Sequence, residues 1–371
     1  MADKERIKVL YILRAMNVGG IETLVEGLLR NHDRGKFELR VLILTEGGGA
    51  ISRFEDIKDV PLDRCIYSPP ARKSFLKEFE RYLCSTQPNA IVCWFFPFHY
   101  FLSRVAKRVG IKTFIVGVQN TQTVTGVQKF KNAFLARGSR RWIKTEVAAS
   151  ERVKLSIREQ YCLNVDKVPV IRNGIDVTLF SPKASIRRRG ETQVTVGMVA
   201  RLDRIKDHDT LIRAIGIASR NFLGKIALQL IGDGPRRKEL EVLAHEIGVR
   251  DIVDFMGTRD DVPDLLHGMD IFVFSTSDAE GLGNAMVEAM ACELPVIATN
   301  TGACPEVVRD GETGLLVPER DPQKLAEAIV FMAKNPSLRK QFGIRGREVV
   351  CADFNIYEVV RHYEELLLDE M

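Results

Sequence analysis

The segment IFVFSTSDAEGLGNAMVEAM, residues 271–290, starts as a short apolar strand and continues through a glycine-containing loop into a helix. Short apolar strands such as Ile271–Phe274 are typical of parallel sheets that helices cover. A strand–loop–helix junction also presents unpaired backbone N–H groups and the positive end of a helix dipole, which bind phosphates and other oxygen-rich ligands. The segment therefore predicts an α/β fold and a ligand site at one strand end.

The alternation of strand and helix continues along the whole chain in two series. We predict a first doubly wound domain at residues 1–180, a polar and basic linker at 181–193, and a second such domain at 194–350. Residues 351–371 are predicted to form a C-terminal helix that packs back on the first domain. Two such domains in sequence leave a cleft in which ligands meet the carboxyl ends of strands. The predicted strands are Val9–Leu13, Leu39–Leu44, Ala90–Trp94, Thr113–Val118, Val168–Ile171, Val194–Val199, Ala227–Ile231, Ile252–Phe255, Ile271–Phe274 and Pro295–Ala298.

Composition favours an ordinary globular protein of the cytoplasm. The chain has 371 residues, 45% hydrophobic and 28% charged, which is enough for two separate cores. Its seven cysteines are odd in number, scattered and without a Cys-x-x-Cys pair, which indicates a reducing compartment and no zinc site. No signal-peptide pattern precedes Val9–Leu13, and the longest apolar run, Ile91–Leu102, is shorter than the ~18 residues of a membrane-spanning helix.

Positive charge is concentrated in the first half of the chain. The net charge is +5, yet residues 1–180 hold 30 Lys and Arg against 18 Asp and Glu. The excess is densest at 122–144, where six basic residues alternate with aromatic and aliphatic ones and no acid occurs. This mixture suits an anionic membrane surface or an anionic acceptor, and a solvated basic helix face is an equal alternative. No nucleic acid partner is expected.

Two pairs of charged residues in the second domain carry the predicted chemistry. Glu280 lies in the loop after Ile271–Phe274 and Glu288 lies in the helix that follows, and carboxylates of this kind suit sugar hydroxyls. Arg201 and Lys206 follow the strand Val194–Val199. An Arg fork and a Lys point charge in one crevice are what a leaving diphosphate requires, since its negative charge grows as a glycosidic bond breaks.

Glycines at two other strand ends give weaker signals. Gly19-Gly20, between the first strand and the first helix, would let backbone approach a ligand closely. Gly232-Asp233-Gly234-Pro235 is superficially like a dinucleotide fingerprint, but it lacks the third glycine and places Pro235 where open backbone is needed. We therefore predict no nicotinamide cofactor.

Together these motifs resemble the large family four of retaining glycosyltransferases, also called glycosyl transferases group 1. The resemblance covers nearly the whole chain and is strongest at 194–318. It implies the GT-B fold, in which two Rossmann-like doubly wound parallel-sheet domains face a central cleft. The motifs that carry it are Gly19-Gly20-Ile21-Glu22, Asn173-Gly174-Ile175-Asp176, Arg201-Leu202 with Lys206, Gly232-Asp233-Gly234, Glu280 with Glu288, Pro295–Thr299 and Gly311–Val317.

The resemblance also implies roles for individual residues. Arg201 and Lys206 would hold the donor diphosphate, with Gly19 and Gly20 contributing backbone from across the cleft. Glu280 would contact the transferred sugar and Glu288 the nucleotide ribose. The remaining donor-binding residues implied are Gly281, Leu282, Gly283 and Asn284 at the sugar and phosphate, and Thr258, Arg259, Asp261 and Val262 beside the base.

Members of the family generally transfer a hexose-type sugar with retention and without a metal or other cofactor. The donor is a nucleoside diphosphate sugar, with UDP slightly favoured over GDP here. The leaving phosphate is thought to guide the acceptor hydroxyl, so catalysis depends on positioning and charge stabilisation by Glu280, Arg201, Lys206 and Gln119. The basic, aromatic-bearing segment 122–144 and the apolar run near Phe95–Phe101 lead us to expect a lipid-linked or polysaccharide glycan of the bacterial envelope as the acceptor. It would be reached from the cytoplasm or the inner face of the membrane.

One departure concerns the acceptor side. Many relatives have a His after the strand that here is Phe114–Val118, whereas this chain has Gln119 and Asn120. Gln119 can donate a hydrogen bond but cannot shuttle a proton. His99 is a substitute, with a packed loop histidine as the favoured alternative, and Asn173 completes the acceptor-side candidates.

Two other functions remain open. A catalytically degenerate partner that binds a nucleotide sugar or a membrane is one, because Gln119 replaces the usual histidine. A nucleotide-sugar epimerase on the same fold is the other, although it should have additional acid and base residues.

Overall fold

The computed structural model describes residues 6–16, 19–46, 48–67, 71–94, 98–121, 125–183 and 193–369. The chain divides into two compact units, residues 1–174 with 356–371 and residues 175–355. Each unit has a sheet of six parallel strands in its described part, with helices between successive strands.

The first unit has the strand order β3-β2-β1-β4-β5-β6. Its strands are β1 Ile7–Leu13, β2 Phe37–Ile43, β3 Leu62–Arg64, β4 Ala90–Cys93, β5 Thr113–Val118 and β6 Thr145–Ala148. Its helices are α1 Gly20–Asn31, α2 Ile51–Glu55, α3 Arg72–Thr86, α4 His99–Arg108, α5 Gly126–Ser139, α6 Glu151–Tyr161 and, from the end of the chain, α14 Ile356–Leu368.

The second unit has the equivalent order, β12-β11-β10-β7-β8-β9. Its strands are β7 Gln193–Val199, β8 Lys225–Ile231, β9 Val253–Gly257, β10 Ile271–Phe274, β11 Val296–Thr299 and β12 Gly314–Val317. Its helices are α7 His208–Asn221, α8 Arg237–Glu246, α9 Val262–His267, α10 Asn284–Ala291, α11 Cys304–Val307, α12 Pro322–Lys334 and α13 Pro336–Asp353.

Central strands of both sheets are buried on both faces. Every residue of β4, β5, β10 and β11 is buried, which is why these strands read as continuous apolar runs rather than as alternating ones. Parallel strands need helical crossovers, and those helices cover the two faces of each sheet. The prediction of two doubly wound parallel sheets is confirmed.

The boundary between the units differs from the predicted one. It lies after Gly174, and the chain returns to the first unit at Ile356. A Cβ on Gly174 would be 2.7 Å from the Cα of Ile356, so the outgoing and returning segments touch where glycine allows it. Ile175 and Phe180, placed before the linker in the sequence-based division, are buried in the core of the second unit. Most of the predicted linker, residues 184–192, lies outside the described residues.

One predicted strand is wrong and three short ones were not predicted. In place of a strand at Val168–Ile171, the structure has a single bridge between Val170 and Ala148. Pro169 has no N–H to donate, which limits pairing on this segment. The strands not predicted are β3, β6 and β12, each of three or four residues.

The returning helix α14 is anchored to the first unit. Its apolar face, including Val359, Tyr363 and Leu367, belongs to the same buried cluster as β1. Glu364 accepts hydrogen bonds from the backbone N–H of Asp33 at 2.9 Å and pairs with His32 Nδ1 at 3.0 Å. The C-terminal helix therefore completes the core of the N-terminal sheet.

Two glycines of α13 provide a test of the packing in the second unit. A Cβ on Gly343 would lie 2.0 Å from the carbonyl oxygen of Glu293, whereas one on Gly346 would meet Met290 at an ordinary 3.5 Å. We expect Gly343→Ala to lower the free energy of unfolding by about 1–3 kcal/mol, because backbone must move. Gly346→Ala should be neutral or stabilising by up to about 1 kcal/mol, because alanine favours helix. Thermal and urea unfolding of both variants measure this, and equal effects would contradict the packing described.

Candidate functional site

The candidate site lies where the strand order of the second sheet reverses. β7 pairs with β8 on one side and with β10 on the other. From β7 the strands follow in chain order to β9 on one side, and from β10 they follow in chain order to β12 on the other. In doubly wound sheets the loops at such a switch point diverge and leave room for a ligand at the carboxyl ends of the strands. The loops concerned are residues 200–207 after β7 and 275–283 after β10.

Asp203 organises the loop after β7. Its carboxylate accepts from Arg201 Nε at 2.7 Å and also pairs with Nη2 at 2.6 Å. It further accepts from the backbone N–H groups of Ile205 and Lys206, at 2.9 and 3.2 Å. Burial raises the pKa of Asp203, and these hydrogen bonds together with the Arg201 charge outweigh it, so the pKa is lowered. Sequence reasoning missed Asp203, whose only signal is its place between the two cations.

Backbone hydrogen bonds join the two loops. The N–H of Ser277 donates to the carbonyl of Ile205 at 3.0 Å, and the N–H of Asp207 donates to the carbonyl of Ser275 at 3.0 Å. Lys206 and Thr276 therefore form an antiparallel bridge between the loops. His208 Nδ1 lies 2.9 Å from the Lys206 carbonyl. Since that oxygen can only accept, Nδ1 carries the proton and anchors the lysine backbone from a third side.

Lys206 and Glu280 are in direct contact. The ammonium of Lys206 forms an ion pair with Glu280 Oε2 and lies 4.4 Å from the centre of the Phe274 ring. The two side chains are only 16% and 15% exposed. Burial lowers the pKa of Lys206 to about 8, against the opposing effect of the Asp203 charge. The structure thus brings the predicted phosphate-binding lysine and the predicted sugar-binding carboxylate together.

Arg201 is placed differently from Lys206. Its side chain is 70% exposed and is held at the rim of the loop by Asp203. A guanidinium in this position keeps donors available to solvent while two of its nitrogens face the carboxylate. Arg201 can therefore meet an incoming anion at the surface, whereas Lys206 can meet it only deeper in the site.

The loop after β10 leads directly into α10. Gly283 has φ +81°, a left-handed conformation that favours glycine. A Cβ there would also lie 2.6 Å from Met286 and 2.9 Å from Phe274, so Gly283 is required for packing as well. Beyond it, Asn284, Ala285 and Glu288 are the half-buried positions of an otherwise buried helix. Glu288 is therefore on the accessible stripe that begins at the N-terminus of α10.

The two glycines of the Gly232-Asp233-Gly234-Pro235 motif have a structural role. A Cβ on Gly232 would lie 2.1 Å from the carbonyl oxygen of Ala200, and one on Gly234 would lie 2.4 Å from that of Leu202. Gly232 also has φ +129°. These glycines let the turn after β8 pack closely against the loop that carries Arg201. Their role in this structure is to support that loop.

The predicted base-flanking residues belong to a separate turn after the edge strand β9. Arg259 donates to Asp261 through Nε at 2.8 Å and Nη2 at 2.6 Å, and both side chains are 42% exposed. Asp261 precedes α9, which begins at Val262. β8 lies between this edge strand and β7, so Thr258 and its neighbours flank the switch point rather than occupy it.

In the first unit, Gln119 and Asn173 meet. The amide nitrogen of Asn173 donates to Gln119 Oε1 at 2.8 Å, beyond the end of β5. Asn173 is buried and Asn120 is exposed. Gly20 begins α1 and Gly19 precedes it in an extended conformation, while Asn17 and Val18 lie outside the described residues. The acceptor and phosphate roles of these residues stay predictions.

The structure favours the packed alternative for His99. Its side chain is completely buried at the start of α4, and Nε2 lies 2.9 Å from Ser139 Oγ. Ser139 donates its own proton to the carbonyl of Ala136 at 2.8 Å, so Nε2 of His99 is the donor. Burial lowers the pKa of His99 to about 3. This imidazole is neutral and buried, which supports the favoured alternative of a packed histidine.

The basic segment at 122–144 is only partly a surface feature. On α5, Val127, Phe130 and Phe134 are 84%, 78% and 74% exposed. Arg140, by contrast, pairs with Glu146, and Lys144 donates to the carbonyl of Leu366 at 2.8 Å. Trp142 and Ile143 are half-buried. Residues 122–124, and residues 95–97 of the neighbouring apolar run, lie outside the described part of the chain.

The described ranges contain neither a metal-binding cluster nor a membrane-spanning helix. Within residues 6–369, leaving aside the gaps named above, no three His, Cys, Asp or Glu side chains are grouped so as to hold a metal ion. Among the helices in the same part of the chain, none is long and apolar enough to cross a membrane.

Comparison with known proteins places the second unit in a family. Residues 183–349 match the family model described as Glycosyl transferases group 1. The GDP-mannose-dependent alpha-(1-6)-phosphatidylinositol monomannoside mannosyltransferase of Mycobacterium tuberculosis is 35% identical over 49% of this chain and 50% of that protein. The lipopolysaccharide core biosynthesis glycosyltransferase LpsE of Rhizobium meliloti is 34% identical over 50% and 52%. The chain thus spans about half the length of these curated relatives.

Solved structures match over the full chain. Anabaena Alr3699/HepE, in a crystal structure with UDP-glucose, has a TM-score of 0.86 and 19% identity, covering 98% of this chain and 100% of that one. A glycosyltransferase from Rickettsia africae has a TM-score of 0.82 and 18% identity, covering 99% of both chains. These likenesses confirm the GT-B type of fold. The family recognised in the sequence, glycosyl transferases group 1, is confirmed for residues 183–349.

Proposed function

We propose that this chain is a retaining, metal-independent glycosyltransferase. It moves a hexose-type sugar from a nucleoside diphosphate, with UDP favoured over GDP, to a hydroxyl of a lipid-linked or polysaccharide acceptor. The observation that carries the proposal is the convergence of Lys206, Glu280 and the start of α10 at the switch point of the second sheet. Relatives named for mannosyl transfer to a phosphatidylinositol glycolipid and for lipopolysaccharide core synthesis support the acceptor class.

Lys206 and Arg201 would stabilise the leaving diphosphate. When the bond between the sugar C1 and the phosphate oxygen breaks, the electron pair stays on the diphosphate, and its negative charge increases. A half-buried ammonium is effective here because surrounding protein screens charge less than water does. The N–H groups at the start of α10 would add hydrogen bonds to the same anion. These groups supply the positive charge that a metal ion would otherwise provide.

The acceptor oxygen would form its bond to C1 on the face that the diphosphate leaves, which gives retention. Its proton would pass to the departing phosphate oxygen, so the reaction needs no protein base. This fits a first unit in which Gln119 can position a hydroxyl but cannot take its proton. Glu280 would accept hydrogen bonds from the transferred sugar, and Glu288 would accept them from the ribose.

A thermal-shift screen tests the donor. UDP, GDP, ADP and their common sugar conjugates are compared with and without EDTA, and a ligand at a hundredfold excess over its dissociation constant adds ~2.7 kcal/mol of stability. We expect a shift with one nucleotide that EDTA leaves unchanged. Lys206→Met should weaken binding of that nucleotide by roughly tenfold to a hundredfold, because a charge-assisted hydrogen bond is lost.

The matched control for this variant is Lys183→Met, which removes an exposed lysine of the same unit that pairs with Asp264. It should leave the shift unchanged. If no nucleotide stabilises the wild-type protein, the glycosyltransferase proposal fails. The alternative of a catalytically degenerate partner protein then becomes the better interpretation.

The turn around Asp203 gives a prediction about stability and pH. Asp203→Ala removes the acceptor for two backbone N–H groups and for Arg201, and we expect it to lower the free energy of unfolding by about 1–3 kcal/mol at pH 7. Asp203→Asn keeps an oxygen for the turn and should lose less. Urea unfolding curves measure both.

The pH dependence of this difference has a definite sign. Because the pKa of Asp203 is lowered in the folded protein, its stabilisation is present above the unfolded pKa and is lost as pH falls through the folded pKa. The gap between wild type and Asp203→Asn should therefore close in acid. A gap that widens as pH falls would contradict the carboxylate contacts described.

We also propose that the exposed face of α5 contacts an anionic membrane surface. Val127, Phe130 and Phe134 are spaced by three and four residues, so they share one helix face. The helix contains Lys129, Lys131 and Arg137 and no acidic residue. Exposed aromatic side chains beside cations suit the headgroup region of anionic lipids.

Co-sedimentation with phosphatidylglycerol vesicles tests this contact. The double variant Phe130→Ser, Phe134→Ser should bind roughly tenfold more weakly, since each ring buries apolar area on the membrane. Phe331→Ser, on α12 and 48% exposed in the wild type, is the matched control and should bind normally. If the wild-type protein does not bind these vesicles at low salt, the membrane proposal is wrong. The donor-site proposal is not affected by that result.

A further inference from the structure

Lys206 has its counter-ion already in place. Its backbone is fixed on three sides, by Asp203, by the bridge to Thr276 and by His208. The Phe274 ring lies under its ammonium at 4.4 Å. The ammonium then extends to Glu280 Oε2, and both side chains are mostly buried. The ammonium of Lys206 therefore already has an anionic partner before any ligand binds.

Glu280 is also held in place by the backbone around it. Its N–H donates to the carbonyl of Ser277 at 3.2 Å. Gly302, with φ +57°, packs so closely that a Cβ would lie 3.2 Å from the Glu280 carbonyl oxygen. The backbone of Glu280 is therefore fixed, and its carboxylate lies beside Lys206. An anion that binds Lys206 in this arrangement comes close to the carboxylate.

A phosphate that binds Lys206 meets a fixed negative charge. Two anions that share one buried cation repel each other more strongly than they would in water. The penalty is reduced if another group donates hydrogen bonds to the carboxylate in place of the lysine. Sugar hydroxyls are such donors, and a bare nucleoside diphosphate brings none to this position.

We propose that Glu280 is the residue that makes the site prefer the sugar-bearing nucleoside diphosphate over the bare one. Because Glu280 is paired with Lys206, its carboxylate repels a diphosphate that binds the lysine. Hydroxyls of an attached sugar donate hydrogen bonds to the carboxylate and reduce this repulsion. This specificity rests on the proposed function, because it takes Lys206 as the phosphate ligand. The same repulsion would help to expel the nucleoside diphosphate once the sugar has left.

The experiment is isothermal titration of wild type, Glu280→Gln and Glu312→Gln with UDP and with UDP-glucose. GDP and GDP-mannose replace them if the thermal-shift screen selects guanine. Gln keeps the size of the side chain and removes its charge. Glu312 is an exposed glutamate of the same unit, so Glu312→Gln is the matched control.

We expect Glu280→Gln to bind UDP about tenfold more tightly than wild type. The preference for UDP-glucose over UDP should fall by about tenfold or more. Glu312→Gln should match wild type in both binding measurements. The wild-type carboxylate discriminates against UDP through repulsion, so removal of its charge increases the affinity for UDP.

Equal or weaker UDP binding by Glu280→Gln would overturn the inference while leaving the donor site intact. Wild type that binds neither ligand would instead remove the proposed function itself. If Glu280→Gln does not fold, Glu280→Asp serves the same purpose. Its shorter side chain withdraws the carboxylate from Lys206, so a smaller gain in UDP affinity is expected, and unchanged or weaker binding overturns the inference.

Discussion

The pairing of β7 with β10 is the contact on which the candidate site depends. Ile271 is aligned with Val196 and Phe272 with Gly197, at the one place in this sheet where the strand order reverses. A Cβ on Gly197 would lie 2.1 Å from the sulfur of Met269, so any side chain here would have to displace that buried methionine. Because the two strands end side by side, the loops that follow them can exchange backbone hydrogen bonds. Those bonds fix the distance between Lys206 and Glu280, which are 74 residues apart in the chain.

The sequence predicts this arrangement well where burial decides the pattern. Strands such as β5 and β10 are buried on both faces, so an apolar run bounded by turn residues is sufficient to locate them. β3 was missed because two half-buried residues and one exposed residue carry no such pattern. The segment around Val170 was misread because its apolar residues fill the core without pairing as a strand. Apolar composition reports burial, and only hydrogen bonding distinguishes a strand from a buried loop.

The candidate site residues divide in a similar way. Glu280 and Lys206 were predicted because their residue types fit a sugar phosphate and because both follow strands. Asp203 was not predicted, because in the sequence a carboxylate between two cations looks like an ordinary surface residue. Only the structure shows that it accepts hydrogen bonds from the backbone N–H groups of Ile205 and Lys206. His99 was overvalued for the opposite reason: its residue type suggested chemistry, but complete burial leaves it a packing role. Residue type indicates what a side chain can do, and burial and partners decide whether it does so.

Charge balance connects these observations. Each of the two site cations has a carboxylate of its own, Asp203 for Arg201 and Glu280 for Lys206. A buried cation without a partner would cost several kcal/mol, so Glu280 stabilises these loops through its pair with Lys206 before any substrate binds. Under the proposed function, a bound phosphate would share each cation with the carboxylate already present. Arg201 is exposed and would keep Asp203 while it contacts an anion, whereas Lys206 is mostly buried beside Glu280. The Lys206–Glu280 pair is therefore where the identity of the bound group would have the greatest effect on affinity.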